Sequence, residues 1–234
     1  MDRLTAHHFA NLYAAAQPQA KVVSIQNGIN LGSVSIHLGQ RLLISLSSTI
    51  APGDVLTVMG PSGSGKSTLL AFIGGFLDPA FAASGQVFID GVDVTNIPAN
   101  LRHAGILFQD PLLFPHMSVG GNLLFAIPAE VKGRPARVAL AKAALADMEL
   151  GGCFDHDPAT LSGGQKARVA LARTLLSQPK ALLLDEPFSR LDAGLRAQMR
   201  ELVFSHAKAQ MLPVVLVTHD REDASAAGGQ LIEI

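Results

Sequence analysis

A lysine and a hydroxyl at the end of a glycine-rich run form the most chemically directed stretch of this chain. Gly60, Pro61, Ser62, Gly63, Ser64, Gly65, Lys66 and Ser67, followed by Thr68, spell G-x-x-x-x-G-K-[ST]. The run comes directly after the apolar residues 55–59 and opens a segment, 68–73, that reads as helix. That strand–loop–helix setting is the one in which the pattern cradles phosphate. Glycines tolerate the positive φ such a loop needs, so backbone N–H groups can close around phosphate oxygens. The helix N-terminus adds unpaired donors and partial positive charge. Lys66 can reach the outer phosphates, and the Ser67 hydroxyl can hold Mg²⁺. The chain is expected to bind a nucleoside triphosphate.

Three further apolar runs each end in a polar side chain able to do chemistry. Residues 104–108 lead to Gln109, residues 181–184 to Asp185 and Glu186, and residues 214–218 to His219. Uninterrupted apolar strands separated by helical segments imply a parallel sheet covered on both faces. In such sheets ligands bind beyond the carboxyl ends of the strands, so the phosphate loop, Gln109, Asp185, Glu186 and His219 are expected along one edge. Asp185 suits Mg²⁺, directly or through water, beside Ser67. Gln109 can complete the metal shell with a neutral amide. Glu186 is the best placed group to polarise an attacking water, and His219 to contact the terminal phosphate.

The elements that position these groups follow from periodicity. Val34, Ile36 and Leu38 alternate with Ser35 and His37, and Ile44, Leu46 and Ile50 continue the pattern, which reads as antiparallel strands. Asp90-Gly91 marks a hairpin turn. Residues 136–150, with Val138, Ala141, Leu145 and Met148 at helical spacing, and residues 161–177 read as helices of a subdomain inserted at about 111–178. The second of these opens with Leu161, Ser162, Gly163, Gly164 and Gln165. Ser162 is a good N-cap, and the glycines leave the first N–H groups accessible, a second anion-binding start.

Bulk properties narrow the class. At 234 residues, 48% hydrophobic, the chain can build one sizeable α/β core. A formal charge of −1 gives no electrostatic case for a nucleic-acid partner. No apolar run approaches the roughly 18–20 residues of a membrane span. The single cysteine, Cys153, cannot form an intrachain disulfide. Residues 1–20, Ala-rich and without the apolar core of a secretory signal, are expected to form a flexible extension.

With these motifs in order, residues 21–220 resemble the ATP-binding cassette (ABC) ATPases. The matching positions are the phosphate loop (residues 60–68, Walker A), Gln109, the signature (residues 161–165), residues 182–185 with Glu186 (Walker B), the stretch Ser189, Arg190, Leu191 and Asp192, and His219. Residues 114–119 and 185–189 look like bacterial import ATPases serving thiamine, iron, sulfate or polyamine, and especially the YnjD-like group. The resemblance implies an ABC ATPase fold: a P-loop NTPase core with a mainly parallel sheet, an antiparallel β subdomain and an inserted α-helical subdomain over 21–234. It also implies ATP and Mg²⁺ as ligands and a head-to-tail homodimer, in which Lys66 of one copy and Ser162 of the other grip the same ATP. The implied setting is the cytoplasmic face of the membrane, with permease subunits and a solute-binding protein as partners.

Two positions depart from the family. An aromatic residue usually faces adenine 23 positions before Gly60, where this chain has His37; the imidazole either stacks on the base or is a polar strand residue. Arg190 replaces a commoner small residue. Phe108, Leu112, Leu113, Phe114, Met117 and Phe125 form an apolar group that either receives a permease helix or fills the helical core. Only residues 220–234 follow His219, so no β-rich regulatory domain is expected. Competing readings are an ABC exporter, or a soluble P-loop ATPase, kinase or GTPase uncoupled from transport; the signature and the lack of an acceptor-substrate motif argue against a kinase. ABC proteins acting on nucleic acid usually carry a long coiled-coil insertion or a second cassette, and neither is found here.

Overall fold

The computed structural model describes residues 27–234, so the expected extension at 1–20 lies outside the described residues. Two sheets share one buried layer between them. Strands β1 (Ile29–Leu38) and β2 (Arg41–Ile50) pair antiparallel, and β4 (Phe81–Ile89) and the short β5 (Val92–Asp93) complete a sheet of order β2-β1-β4-β5. The second sheet has order β6-β7-β8-β3-β9, formed by β3 (Val55–Met59), β6 (Ala104–Leu107), β7 (Ala181–Asp185), β8 (Val214–Thr218) and β9 (Gln230–Glu233), with every pair parallel.

Side-chain alternation along the central strands divides the core. Leu183, Val215, Val217, Leu56 and Val58 point toward the antiparallel sheet and helix α1 (Lys66–Gly74), where they meet Ile36, Ile44, Leu69 and Ile73. Leu182, Leu184, Val214 and Leu216 point the other way, against helices. Those helices are α2 (Val119–Ala126), α3 (Arg134–Asp147) and α4 (Gly163–Leu176), all between β6 and β7, and α5 (Ala193–Ala209) between β7 and β8. Burial on both faces explains why β3 and β8 are apolar throughout rather than alternating.

Three features depart from the sequence expectation. β6 ends at Leu107, two residues short of Gln109, so Gln109 sits in a loop. Leu38, the last apolar residue of the β1 alternation, is 47% exposed because it overruns the core. The chain after His219 forms α6 (Arg221–Ala227) and then β9, which joins β3 as an edge strand. Its four residues are too few to show a period of two.

Arg102 locks the phosphate-loop helix to the antiparallel layer. It is 6% exposed, and its guanidinium donates to Phe72 O and Ile73 O at 2.9 Å each, Ile97 O at 2.7 Å and Thr95 O at 2.8 Å. It thereby satisfies the Ile73 carbonyl at the end of α1 and shares Phe72 O with the Gly75 N–H. Arg102→Ala is expected to cost about 3 kcal/mol and to lower the melting temperature by roughly 6–12 °C. Thermal denaturation of the nucleotide-free chain checks this.

Candidate functional site

The parallel sheet delivers its carboxyl ends to one edge. Residues 60–65 follow β3, Gln109 follows β6, Glu186 follows β7 and His219 follows β8. Gly65 takes φ +98° to pass the chain into α1, a conformation a side chain would strain. Lys66, 4% exposed, folds back so that its Nζ donates to Gly60 O at 2.8 Å and Pro61 O at 2.9 Å. Ser67 Oγ donates to Asp185 Oδ1 at 2.8 Å.

Glu186 occupies the middle of this group. Its carboxylate lies 3.9 Å from Lys66 Nζ and 3.1 Å from His219 Nδ1. The backbone there is left-handed, at φ +44°, a conformation that costs of order 1 kcal/mol for a side-chain-bearing residue. It is held by Glu186 N–H donating to Val217 O at 3.0 Å and by the Ser189 hydroxyl donating to Glu186 O at 2.8 Å. Register fixes the rest, since Asp185 pairs with Val217 across β7 and β8.

A cavity of about 480 Å³ opens over the loop, bordered by Ser62, Gly63, Gly65, Lys66, Ser67 and Thr68 on one side and Gln109, Asp185 and Glu186 on the other. Its remaining wall is Leu38, Arg41, Leu43 and Phe81. No motif singles out these four residues in the sequence. They come from the tip of the antiparallel sheet, where Leu38 pairs with both Arg41 and Phe81. His37 is not among the lining residues. It shares the strand face of Ser35, whose hydroxyl lies 3.4 Å from its Nδ1, opposite the buried Ile36. The next residue, Leu38, borders this cavity.

The donor set fits a divalent cation shared with phosphate. Burial pushes the Asp185 carboxyl above the usual range, an effect that Ser67 opposes with its hydrogen bond, Glu186 reinforces with its charge and Lys66 opposes with its own. A nearby cation removes that penalty. No cluster of three or more His, Cys, Asp or Glu is found among the described residues. The Ser67 hydroxyl and the Asp185 carboxylate are hard oxygen donors, the kind a divalent cation takes alongside water and phosphate oxygens.

The second anion-binding start does not border this cavity. Ser162 caps α4 in a reciprocal box: its Oγ accepts from Gln165 N at 3.3 Å, and Gln165 Oε1 accepts from Ser162 N at 2.9 Å. Gly163 and Lys166 border a separate, mostly apolar cavity with Phe108, Pro187 and Arg190. Gln109 lines both cavities. Arg190 pairs with Asp110, joining the loop after β7 to the loop after β6.

Comparison with known proteins places this geometry in context. A family model described as ABC transporter matches residues 43–189. The chain is 52% identical over 195 residues to the "Uncharacterized ABC transporter ATP-binding protein YnjD" of Escherichia coli strain K12, covering 83% of this chain and 89% of that one. It is 42% identical over 188 residues to the "Thiamine import ATP-binding protein ThiQ" of Shigella boydii serotype 4, covering 80% of each. It is 40% identical over 203 residues to the "Fe(3+) ions import ATP-binding protein FbpC 1" of Haemophilus influenzae, covering 86% of this chain and 61% of that one. The chain thus spans about three fifths of the iron-import relative's length.

The raised Asp185 carboxyl makes a signed stability prediction. A carboxyl whose folded pKa exceeds its unfolded one destabilises the fold above that folded pKa, and the penalty vanishes as pH falls through it. Asp185→Asn is therefore expected to raise the melting temperature of the nucleotide-free chain at neutral pH, by about 2–4 °C for each kcal/mol relieved. The gain shrinks as pH is lowered into the carboxylate range. Melting curves of both proteins across pH check the sign.

Proposed function

The chain belongs to the ABC transporter family, and on that footing we propose that it is the ATP-hydrolysing subunit of an import system that drives a separate membrane permease. The observation that carries the reading is the convergence of Lys66, Ser67, Asp185, Glu186 and His219 at one sheet edge. The relatives quoted with a stated direction are import proteins, which favours import over export.

In this reading residues 60–68 wrap the phosphates of ATP with backbone N–H groups, and Lys66 neutralises the outer phosphate charge. Ser67 and Asp185 hold Mg²⁺, with Gln109 completing its shell. Held there, the ion would supply positive charge against the phosphates. Glu186 polarises the attacking water. His219, with Nδ1 toward the Glu186 carboxylate, fixes that carboxylate and keeps Nε2 for the terminal phosphate. Leu38, Arg41 and Phe81 take the base end of the nucleotide in place of His37.

The lid of the site comes from a second copy. Ser162 and Gly163 form the exposed start of a helix, with Gly164 and Gln165 behind them, and none of the four borders its own chain's phosphate cavity, which supports a head-to-tail homodimer. The segment 111–178 acts as the helical subdomain. Phe125 and Leu112 are 66% and 57% exposed, and Leu112 sits in the loop that Asn122 pins through Phe114 N and O at 2.7 and 3.1 Å. A permease helix is the partner such an apolar, rigidly held loop suits. Among the described residues no helix is long and apolar enough to cross a membrane, in keeping with a subunit seated against the membrane's inner face. A solute-binding protein completes the assembly and selects the small solute carried.

Glu186→Gln is expected to keep ATP affinity within a few-fold while hydrolysis falls at least about 100-fold, near 2.7 kcal/mol of barrier. Near-normal turnover would remove Glu186 from the water chemistry. Purification from salt-washed membranes tests the transport part. The chain is expected to stay with an integral-membrane protein, and its complete release without one would overturn the coupling.

A further inference from the structure

Glu186 and His219 come from different strand-end loops, and something must fix one against the other. Their own contact is a single interaction at 3.1 Å, and His219 is 55% exposed. An exposed imidazole on a turn does not hold its position unaided. A second connection runs behind the pair through Arg196, in the first turn of α5.

The guanidinium of Arg196 reaches both loops. Nη2 donates to Leu191 O at 3.1 Å and Ser189 O at 3.4 Å, in the segment after Glu186. Nη1 donates to Asp220 Oδ2 at 2.9 Å, the residue after His219. Asp220 is itself fixed: its Oδ1 accepts from Glu222 N at 2.8 Å, and its N–H donates to Thr218 Oγ1 at 3.0 Å. Burial raises its carboxyl, but the Glu222 N–H and the charges of Arg200 and Arg196 outweigh this and hold it below the usual range, so it is anionic at neutral pH. Ser189 returns to Glu186 by donating its hydroxyl to Glu186 O at 2.8 Å. The connections close a ring: Glu186, Ser189, Arg196, Asp220, His219 and Glu186 again.

From this ring we infer that Arg196 is a positioning residue for the Glu186–His219 pair, its two-armed guanidinium tying the loop after β7 to the turn after β8. The inference rests on the hydrolytic roles proposed above for Glu186 and His219. Folding alone does not explain Arg196. Its ion pair with Asp220 is only partly buried, at 27% and 23% exposure, and such pairs add little stability. Its Nε is buried with no hydrogen-bond partner among the described residues, a cost a purely structural arginine would not need. The neighbouring Arg200 does the structural work, donating from Nε to the 3%-exposed Asp223 at 2.6 Å. Lysine cannot substitute for the fork, because one ammonium on a flexible stem does not span two loops in fixed geometry.

The test uses the full chain with ATP and Mg²⁺, comparing Arg196→Gln, Arg196→Lys, His219→Ala, Glu186→Gln and the double variant of Arg196→Gln with His219→Ala. Arg196→Gln is expected to lower kcat about 10- to 100-fold, the scale of an ångström-level misplacement. ATP affinity should stay within about threefold and the melting temperature within about 4 °C, the equivalent of one kcal/mol. Arg196→Lys should fall between Arg196→Gln and the parent chain. The double variant should be no slower than His219→Ala alone, because Arg196 acts through that residue. Additive losses, unchanged kcat in Arg196→Gln, full activity in Arg196→Lys, or a loss matched by unfolding would each overturn the inference. If His219→Ala and Glu186→Gln hydrolyse ATP normally, the site assignment itself is at fault and the inference falls with it; losses there with none in Arg196→Gln isolate the failure to the strut.

Discussion

A lysine ammonium almost removed from water has to be surrounded by oxygen, and the site is built around that requirement. Lys66 is 4% exposed and meets two carbonyls of its own loop, with the Glu186 carboxylate 3.9 Å away. Desolvating such an ion costs several kcal/mol unless hydrogen bonds and opposite charge offset it. The loop carbonyls supply the first and Glu186 the second, and together they keep the loop curled around the ammonium. Gly60 has no room to be anything else, since a Cβ there would lie 2.7 Å from Ile234 O. Ile234, the residue after the edge strand β9, thus restricts the first position of the phosphate loop from outside the motif.

Much of this was legible in residue order, and the limits are physical. The phosphate loop, Asp185, Glu186 and His219 could be placed at one edge because parallel strands buried on both faces are continuous apolar runs, and their ends are easy to see. The antiparallel layer was readable as far as its alternation went. Alternation says less at the sheet tip. Family spacing points to His37, but spacing does not say which residues border the cavity, and its neighbour Leu38 does. Phe81 and Arg41 gave no signal, because they reach the cavity only through strand pairing. Arg196 was invisible for the same reason: its partners lie 5 to 24 positions away, across two loops.

Polar locks and apolar burial divide the work of holding the layers together. The α1 helix is locked to the antiparallel layer by Arg102, and the strand ends are locked to one another by register. The helices inserted between β6 and β7 share one apolar core with Leu182, Leu184, Val214 and Leu216 of the parallel sheet, and polar connections run along its border. One is Gln109, which borders both cavities; another is the exposed ion pair of Arg190 and Asp110, and a third is Arg173 donating to Leu112 O at 2.8 Å. Exposed charge pairs hold weakly and are screened by salt.

The closed Ser162–Gln165 box has a kinetic meaning for the chain on its own. With both side chains satisfied internally and the box away from its own phosphate cavity, a lone copy has half of the proposed machinery and no incentive to rearrange. Under the proposed homodimer, turnover by free subunits would be second-order in their concentration, rising with the chance that two meet. A dilute cell pool would sit idle without any inhibitor. Holding two copies side by side would switch them on simply by raising their local concentration, so tethering itself would act as the regulator.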